Sequence, residues 1–227
     1  MGAFEQAQRL FAWAGEHWND RRLPWRDPQE PLDRRALVEG LLAQTRADAV
    51  AEMYLTIFAG VTCAQDWLDL PAEERLRRMA PLGLPPLKQR AVDGIARVVS
   101  CGPFMVEPAV GGLLDKLDRE PGIVPYIAGM VALLFGNPAA PVDTNIDRVG
   151  RRVAPDRTPT IWIAELVAEA ERLYSPPFPA SYLVVSMVLD LGATLCAAGR
   201  LPECERCPLN GECWYSEKGK IQRLLPL

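Results

Sequence analysis

The chain has 227 residues, 49% hydrophobic and 24% charged, enough to bury one sizeable core or two closely joined lobes. No apolar run is long enough to span a bilayer. The opening stretch MGAFEQAQRLFAWAGEHW carries acids, lacks the regions of a secretory signal and has Gln where myristoylation wants Ser or Thr, so a cytoplasmic location is expected. A net charge of −4 is unlike that of most nucleic-acid binders. Binding of that kind would need basic residues gathered on one face, because fields are local.

In chain order, Phe4 to Trp18 has apolar residues at helical spacing. A Pro-punctuated connector follows, Arg21 to Pro28. Asp33 is placed to cap a helix through Ala36, Leu37, Val38, Leu41 and Leu42, ending near Thr45. Arg46 to Phe58 reads as a second amphipathic helix. Further helices fit Cys63 to Leu70, Pro71 to Met79, Leu87 to Ser100, Gly111 to Leu117, Trp162 to Tyr174 and Ser181 to Leu195. Period-two alternation is scarce, and the connections are short and rich in Pro. The reading is an all-α protein of about ten helices, with no internal repeat.

Glu120 to Arg152 is the stretch around which the rest is arranged. Pro121 and Gly122 mark a tight turn. Tyr126 to Phe135 is apolar almost throughout and is expected to form a buried helix, ended by Gly136, Asn137 and Pro138. Asp143 then stands at the N-cap of a further helix, followed by Thr144, Asn145, Ile146 and Asp147. The positive end of a helix favours a carboxylate's charge, which suits a group facing positive charge that develops in a substrate. Asp is equally an ordinary cap, and position alone does not separate the two.

The second informative stretch is Cys196, Cys204, Cys207 and Cys213, four of six cysteines within 18 positions, with gaps of seven, two and five residues. Pro202, Pro208 and Gly211 make it a loop. Four thiolates without a nearby His are what an iron–sulfur cluster or a structural zinc uses. Disulfides are the remaining alternative, disfavoured by a cytoplasmic location. The spacing is unlike a zinc ribbon built from two CxxC pairs, so a [4Fe–4S] cluster is the preferred reading. Cys63 and Cys101 lie in helical contexts and read as core residues.

Taken together, LPWR at Leu23, LLAQT at Leu41 to Thr45, EPGIVPY at Glu120 to Tyr126, VDTN at Val142 to Asn145, LDLGATLC at Leu189 to Cys196 and the cysteine loop resemble the endonuclease III superfamily of helix-hairpin-helix DNA glycosylases, over nearly the whole chain. The resemblance implies a two-lobed all-α fold. Residues 29–139 would form a six-helix barrel domain with the hairpin. Residues 1–28 and 140–227 would form a lobe carrying a [4Fe–4S] cluster on Cys196, Cys204, Cys207 and Cys213. Asp143 matches the catalytic aspartate, which stabilises an oxocarbenium-like transition state as the N-glycosidic bond breaks. The target base is flipped out of double-stranded DNA. Gln44 matches the residue that fills the gap, and the hairpin around Gly122 and Val124 holds a phosphate. Asn145 and Arg148 follow as further DNA-side residues. A monomer is expected, with no membrane partner.

Tyr126 stands where bifunctional members place the Lys that forms a Schiff base with the sugar, so the resemblance implies a monofunctional enzyme with at most weak lyase activity. Tyr there, and Asn145 after Asp143, resemble MutY-type adenine glycosylases and mismatch-specific thymine glycosylases. Glu39 matches the general acid/base of the adenine enzymes; its surroundings Val38, Leu41 and Leu42 argue for a largely buried helix. The stretch GLPPLKQRAVDGIARVV resembles the thymine enzymes more. The chain ends soon after the cysteines, without room for the domain by which adenine enzymes read oxidised guanine. Both points favour uracil or thymine opposite guanine. An adenine glycosylase of reduced form, an enzyme for oxidised pyrimidines and a DNA-binding paralogue without turnover stay as alternatives.

Four departures accompany the match. Val124 replaces the second Gly of the usual LPGVG and is expected to alter the amide geometry that binds phosphate. Glu120 replaces an apolar residue and adds negative charge. The first cysteine gap is seven rather than six, and the cysteine loop is less basic than usual. Arg148, Arg151, Arg152, Lys88 and Arg90 are the basic residues expected near phosphates.

Overall fold

The computed structural model describes residues 2–100, 112–173 and 179–217, and no strand occurs among them. The chain divides into two compact units: residues 19–137, and residues 1–18 with 138–227. Cys101, Gly111 and Tyr174 lie outside the described residues.

The unit of residues 19–137 holds seven described α-helices: α2 (Leu32–Leu42), α3 (Ala47–Ile57), α4 (Ala64–Asp69), α5 (Ala72–Met79), α6 (Pro85–Ser100), α7 (Gly112–Arg119) and α8 (Pro125–Leu134). Helix α6 is its hub, packing on α2, α4, α5 and α7. The approach to α2 is close. A Cβ on Gly40 would lie 2.9 Å from Val92 Cγ2 and 3.0 Å from the Val92 nitrogen, so only Gly fits. The apolar stretch foreseen at Tyr126 to Phe135 is α8, buried from Ile127 to Leu134. Trp67, Phe58 and Tyr54 form an aromatic row, with ring centroids 5.9 and 5.1 Å apart.

Several polar groups drawn into this core are answered by partners. The Trp67 indole donates to Asp93 Oδ1 at 2.8 Å, and Arg75 pairs with the same carboxylate at 3.1 Å. Asp33 does not cap its own helix: Pro31 is the N-cap of α2. The Asp33 carboxylate instead accepts the Ala64 N–H at 2.7 Å, at the start of α4. Asp serves any unpaired helix-start N–H within reach, and the one Asp33 reaches is 31 residues away.

The other unit is built from α1 (Ala3–His17), α9 (Thr144–Val153), α10 (Pro159–Leu173) and α11 (Ala180–Ala193). Helix α10 packs on α1, α9 and α11. α11, ASYLVVSMVLDLGA, is buried along nearly its whole length, as expected for a helix apolar all round. Gly150 lets α9 meet α10, since a Cβ there would lie 2.9 Å from the Trp162 ring. The Trp162 indole donates to Gln6 of α1 at 2.9 Å. After α11 the chain passes through short 3-10 turns at Cys204–Arg206 and Asn210–Glu212. Arg9 of α1 anchors this loop through a 3.0 Å ion pair with Glu212, whose side chain is 1% exposed. No described helix is long and apolar enough to cross a membrane.

Candidate active site

Asp143 is the N-cap of α9, with extended backbone (φ −105°, ψ −174°). Its Oδ1 accepts the N–H groups of Asn145 and Ile146 at 2.9 and 2.7 Å, and its Oδ2 accepts the Asn145 side-chain amide at 2.9 Å. A carboxylate with three donors at a helix start is fixed in direction as well as in place. Asn145 is itself held, because its Oδ1 accepts from Arg148 at 2.7 Å. Arg148 also donates to the carbonyls of Gly192, at 2.7 Å, and Cys196, at 2.9 Å. Asp143, Asn145, Arg148 and Cys196 thus form one hydrogen-bonded chain along α9.

Two of the expected phosphate contacts are spent here. Arg148 points inward to these carbonyls, and Arg152 donates to the Cys196 carbonyl at 3.2 Å and to its Sγ at 3.0 Å. Arg151 pairs with Asp147 at 2.9 Å. The cause is shared: the carbonyls of Gly192, in the last turn of α11, and of Cys196, just beyond it, are answered by guanidinium groups one and two turns along α9.

Cys196, Cys204, Cys207 and Cys213 line a single pocket with Arg152, Leu191, Leu195, Leu209 and Tyr215. All four are free thiols, so the described residues contain none of the disulfides that spacing left open here. Burial pushes the Cys207 thiol up to about 12, and the other three thiols add in the same direction. Burial likewise raises Cys213. Four thiols converging on one pocket suit a cationic guest, since coordination deprotonates a thiol outright. Among the described residues, no group of three or more His, Cys, Asp or Glu is set to hold a single metal ion as it stands.

The remaining predicted residues belong to the unit of residues 19–137. Glu39 on α2 is 2% exposed, as its apolar neighbours implied. Gln44 is exposed and follows the C-cap of α2 with φ +54°, a left-handed conformation that costs a residue with a Cβ. In the hairpin, Gly122 has φ +94°, and a Cβ there would lie 2.7 Å from Arg90 Cβ. Val124 is half exposed, with φ −91° and ψ 156°. That is ordinary extended backbone, so the replacement of Gly at this position introduces no strain. Glu120 does not stand as a bare charge: Arg97 pairs with it at 2.9 Å. Tyr126 is the second residue of α8. Lys88 departs most from expectation. It is fully buried, and its ammonium donates to the Ala43 carbonyl at 2.7 Å.

Two positions that the sequence did not single out stand out in the structure. A Cβ on Gly192 would lie 2.6 Å from Asn145 Cβ. Leu84 is exposed at φ +50°. The signals available were a lone Gly inside an apolar helix and a large residue wedged between Gly83 and Pro85.

No protein-family profile matches the chain. It is 29% identical over 209 residues to a thymine/uracil-DNA glycosylase of Methanothermobacter thermautotrophicus, covering 88% of this chain and 90% of that protein. It is 28% identical over 223 residues to a thymine-DNA glycosylase of Aeropyrum pernix, covering 92% of each. Endonuclease III of Bacillus subtilis is 27% identical over 185 residues, covering 78% of each. Among solved structures, a thermostable thymine-DNA glycosylase superposes with TM-score 0.63 and 26% identity, over 93% of this chain and 98% of that one. A non-covalent endonuclease III–DNA complex shares the fold, with TM-score 0.54 and 23% identity over 82% and 85%. Together with the motifs, these similarities relate the chain, over most of its length, to thymine/uracil-DNA glycosylases and to endonuclease III.

Proposed function

We propose that the protein is a base-excision-repair glycosylase that hydrolyses the N-glycosidic bond of uracil or thymine opposite guanine in double-stranded DNA, without strand cleavage. The observation that carries the reading is Asp143. Its carboxylate is oriented by three donors, at the position matching the superfamily's catalytic aspartate. The choice of base rests on the relatives, two of which are named for thymine or uracil excision.

The chemistry follows from the residues. The flipped base leaves as its bond to the sugar weakens, and positive charge grows on the sugar. Asp143, fixed before the reaction, stabilises that charge with no reorganisation at the moment of reaction. Glu39, buried and acidic, is assigned to proton transfer with the base or the attacking water. Tyr126 offers no amine, so no Schiff base forms there and the product is an abasic site. Gln44 is assigned to the gap left by the flipped base, with the exposed, strained Leu84 beside it in role; strain of this kind gathers at functional sites. The N-terminus of α8, following Gly122 and Val124, offers backbone N–H groups to a phosphate.

Cys196, Cys204, Cys207 and Cys213 are assigned to a [4Fe–4S] cluster, and four thiols lining one pocket support this. A cluster bound there would cross-link the loop through its four thiolates. Arg148 and Arg152 tie the Cys196 backbone to α9, and so to the helix that presents Asp143. Asn145 holds Asp143 in the same network.

The test is a cleavage panel on labelled duplexes carrying U:G, T:G, thymine glycol, or A opposite 8-oxoguanine, each with and without hot alkali. Breaks on U:G or T:G only after alkali are expected. Breaks without alkali overturn the monofunctional assignment. Activity confined to thymine glycol or adenine overturns the choice of base.

A further inference from the structure

Lys88 is a charged residue with 0% exposure, and the proposed chemistry gives it no role. A buried ammonium is costly unless its hydrogen bonds compensate, and burial lowers its pKa accordingly. Its side chain reaches the carbonyl of Ala43, the C-cap of α2, at 2.7 Å. That carbonyl lies at a helix C-terminus, where acceptors are orphaned and a cation is favoured. It also accepts the Thr45 hydroxyl at 3.3 Å. Between these two residues stands Gln44, exposed at φ +54°.

The backbone of Lys88 makes a second connection. Its N–H donates to the Leu84 carbonyl at 3.1 Å, as does that of Leu87. Leu84 is, like Gln44, an exposed residue of this unit with a large side chain in the left-handed region (φ +50°), as is Arg22. One residue therefore holds the backbone beside Gln44 through its side chain and that of Leu84 through its amide. Left-handed backbone at residues with a Cβ persists only where the surroundings over-determine it. Lys88 supplies that determination from the buried side.

We propose that Lys88 is a positioning residue: its ammonium clamps the Ala43 carbonyl so that Gln44 stays cocked beside Leu84, ready to enter the gap a flipped base leaves. This rests on the glycosylase reading and extends it. Lys88 touches neither DNA nor the reacting atoms; it acts through Gln44. The residue type follows from the geometry, because no uncharged side chain of this length donates from its tip.

The test is a double-mutant cycle, which separates an effect passing through Gln44 from a general structural one. Single-turnover excision from a U:G duplex is measured for the wild type, Lys88→Met, Gln44→Ala and the double variant. Affinity for undamaged duplex is measured alongside. Methionine keeps the stem and deletes the donor, leaving no unpaired charge. In the wild-type background, Lys88→Met is expected to slow excision on the order of tenfold, the size of a lost charge-assisted hydrogen bond, with undamaged-duplex affinity unchanged. In the Gln44→Ala background the same change is expected to cost less than about twofold, because its target is gone. Equal losses in both backgrounds, or no loss in either, overturn the proposal while leaving the glycosylase reading intact. Absence of excision by the wild type on every base pair of the panel overturns both. A Met variant without a cooperative thermal transition passes the test to Thr45→Val, which removes the second donor to the same carbonyl and is scored identically.

Discussion

Replacing Gly192 by alanine probes how tightly α11 sets the position of Asp143. The added Cβ would lie 2.6 Å from Asn145 Cβ, where ordinary contact begins at 3.4 Å. Neither atom is the tip of a flexible side chain, so α9 and α11 must part by about 0.8 Å. Overpacking of this kind costs about 1–3 kcal/mol. Alanine returns about 1 kcal/mol in helix propensity, so the net loss of stability is about 0–2 kcal/mol. The effect on rate is larger. Asn145 donates to Asp143 Oδ2 at 2.9 Å and is braced by Arg148, so the displacement passes directly to the carboxylate. A shift of about 1 Å in a catalytic group costs on the order of a hundredfold. Urea unfolding and single-turnover excision on a U:G duplex measure the two quantities separately. The reasoning is refuted if Gly192→Ala is more stable by the propensity term and excises at the wild-type rate. The contact with Asn145 would then not constrain Asp143.

Two further outcomes are expected. Asp143→Asn keeps a good N-cap, so stability should change by only about a few tenths of a kcal/mol, while excision falls on the order of a hundredfold or more and duplex affinity persists; undiminished excision would remove Asp143 from the chemistry. Asp66, whose carboxylate accepts the Thr62 hydroxyl and the N–H groups of Thr62 and Cys63, is held at about 2 rather than the usual 3.8, first by the Thr62 hydroxyl. A depressed acid contributes stability above its unfolded pKa and loses it as pH falls. Urea midpoints measured from pH 5 to pH 2 should therefore fall less steeply for Asp66→Asn, and identical slopes would show that the acid limb lies elsewhere.

What could be read in the sequence was what is local. Apolar spacing found the helices, and the Pro and Gly around Asp143 isolated a cap. What could not be read was pairing across long separations. Lys88 and Arg90 look alike in the run PPLKQR, and a lysine defaults to the surface. Only the approach of α2, which brings a carbonyl from 45 residues away, makes Lys88 a buried donor. Asp33 looks like a cap for its own helix until the start of α4 is placed beside it. Gly192 looks like a gap in a helix until Asn145 fills the space above it. Arg148 and Arg152 look like a phosphate-binding face until the carbonyls of Gly192 and Cys196, at and just beyond the end of α11, arrive beside them.

The hairpin shows the same distinction at one turn of chain. Its sequence departs from the superfamily pattern at Glu120 and Val124 and keeps Gly122. Backbone geometry makes unequal demands at these positions. Gly122 stands at φ +94° with Arg90 Cβ pressed against it, so a side chain there is excluded twice, by conformation and by space. Val124 stands at φ −91°, where a branched residue is at ease and its side chain faces solvent. Glu120 is answered by Arg97 at 2.9 Å. This partly exposed pair contributes little to stability, but it cancels local charge. The two substitutions thus fall where the backbone does not need glycine and where a cation stands opposite the acid. The one glycine the turn requires is present.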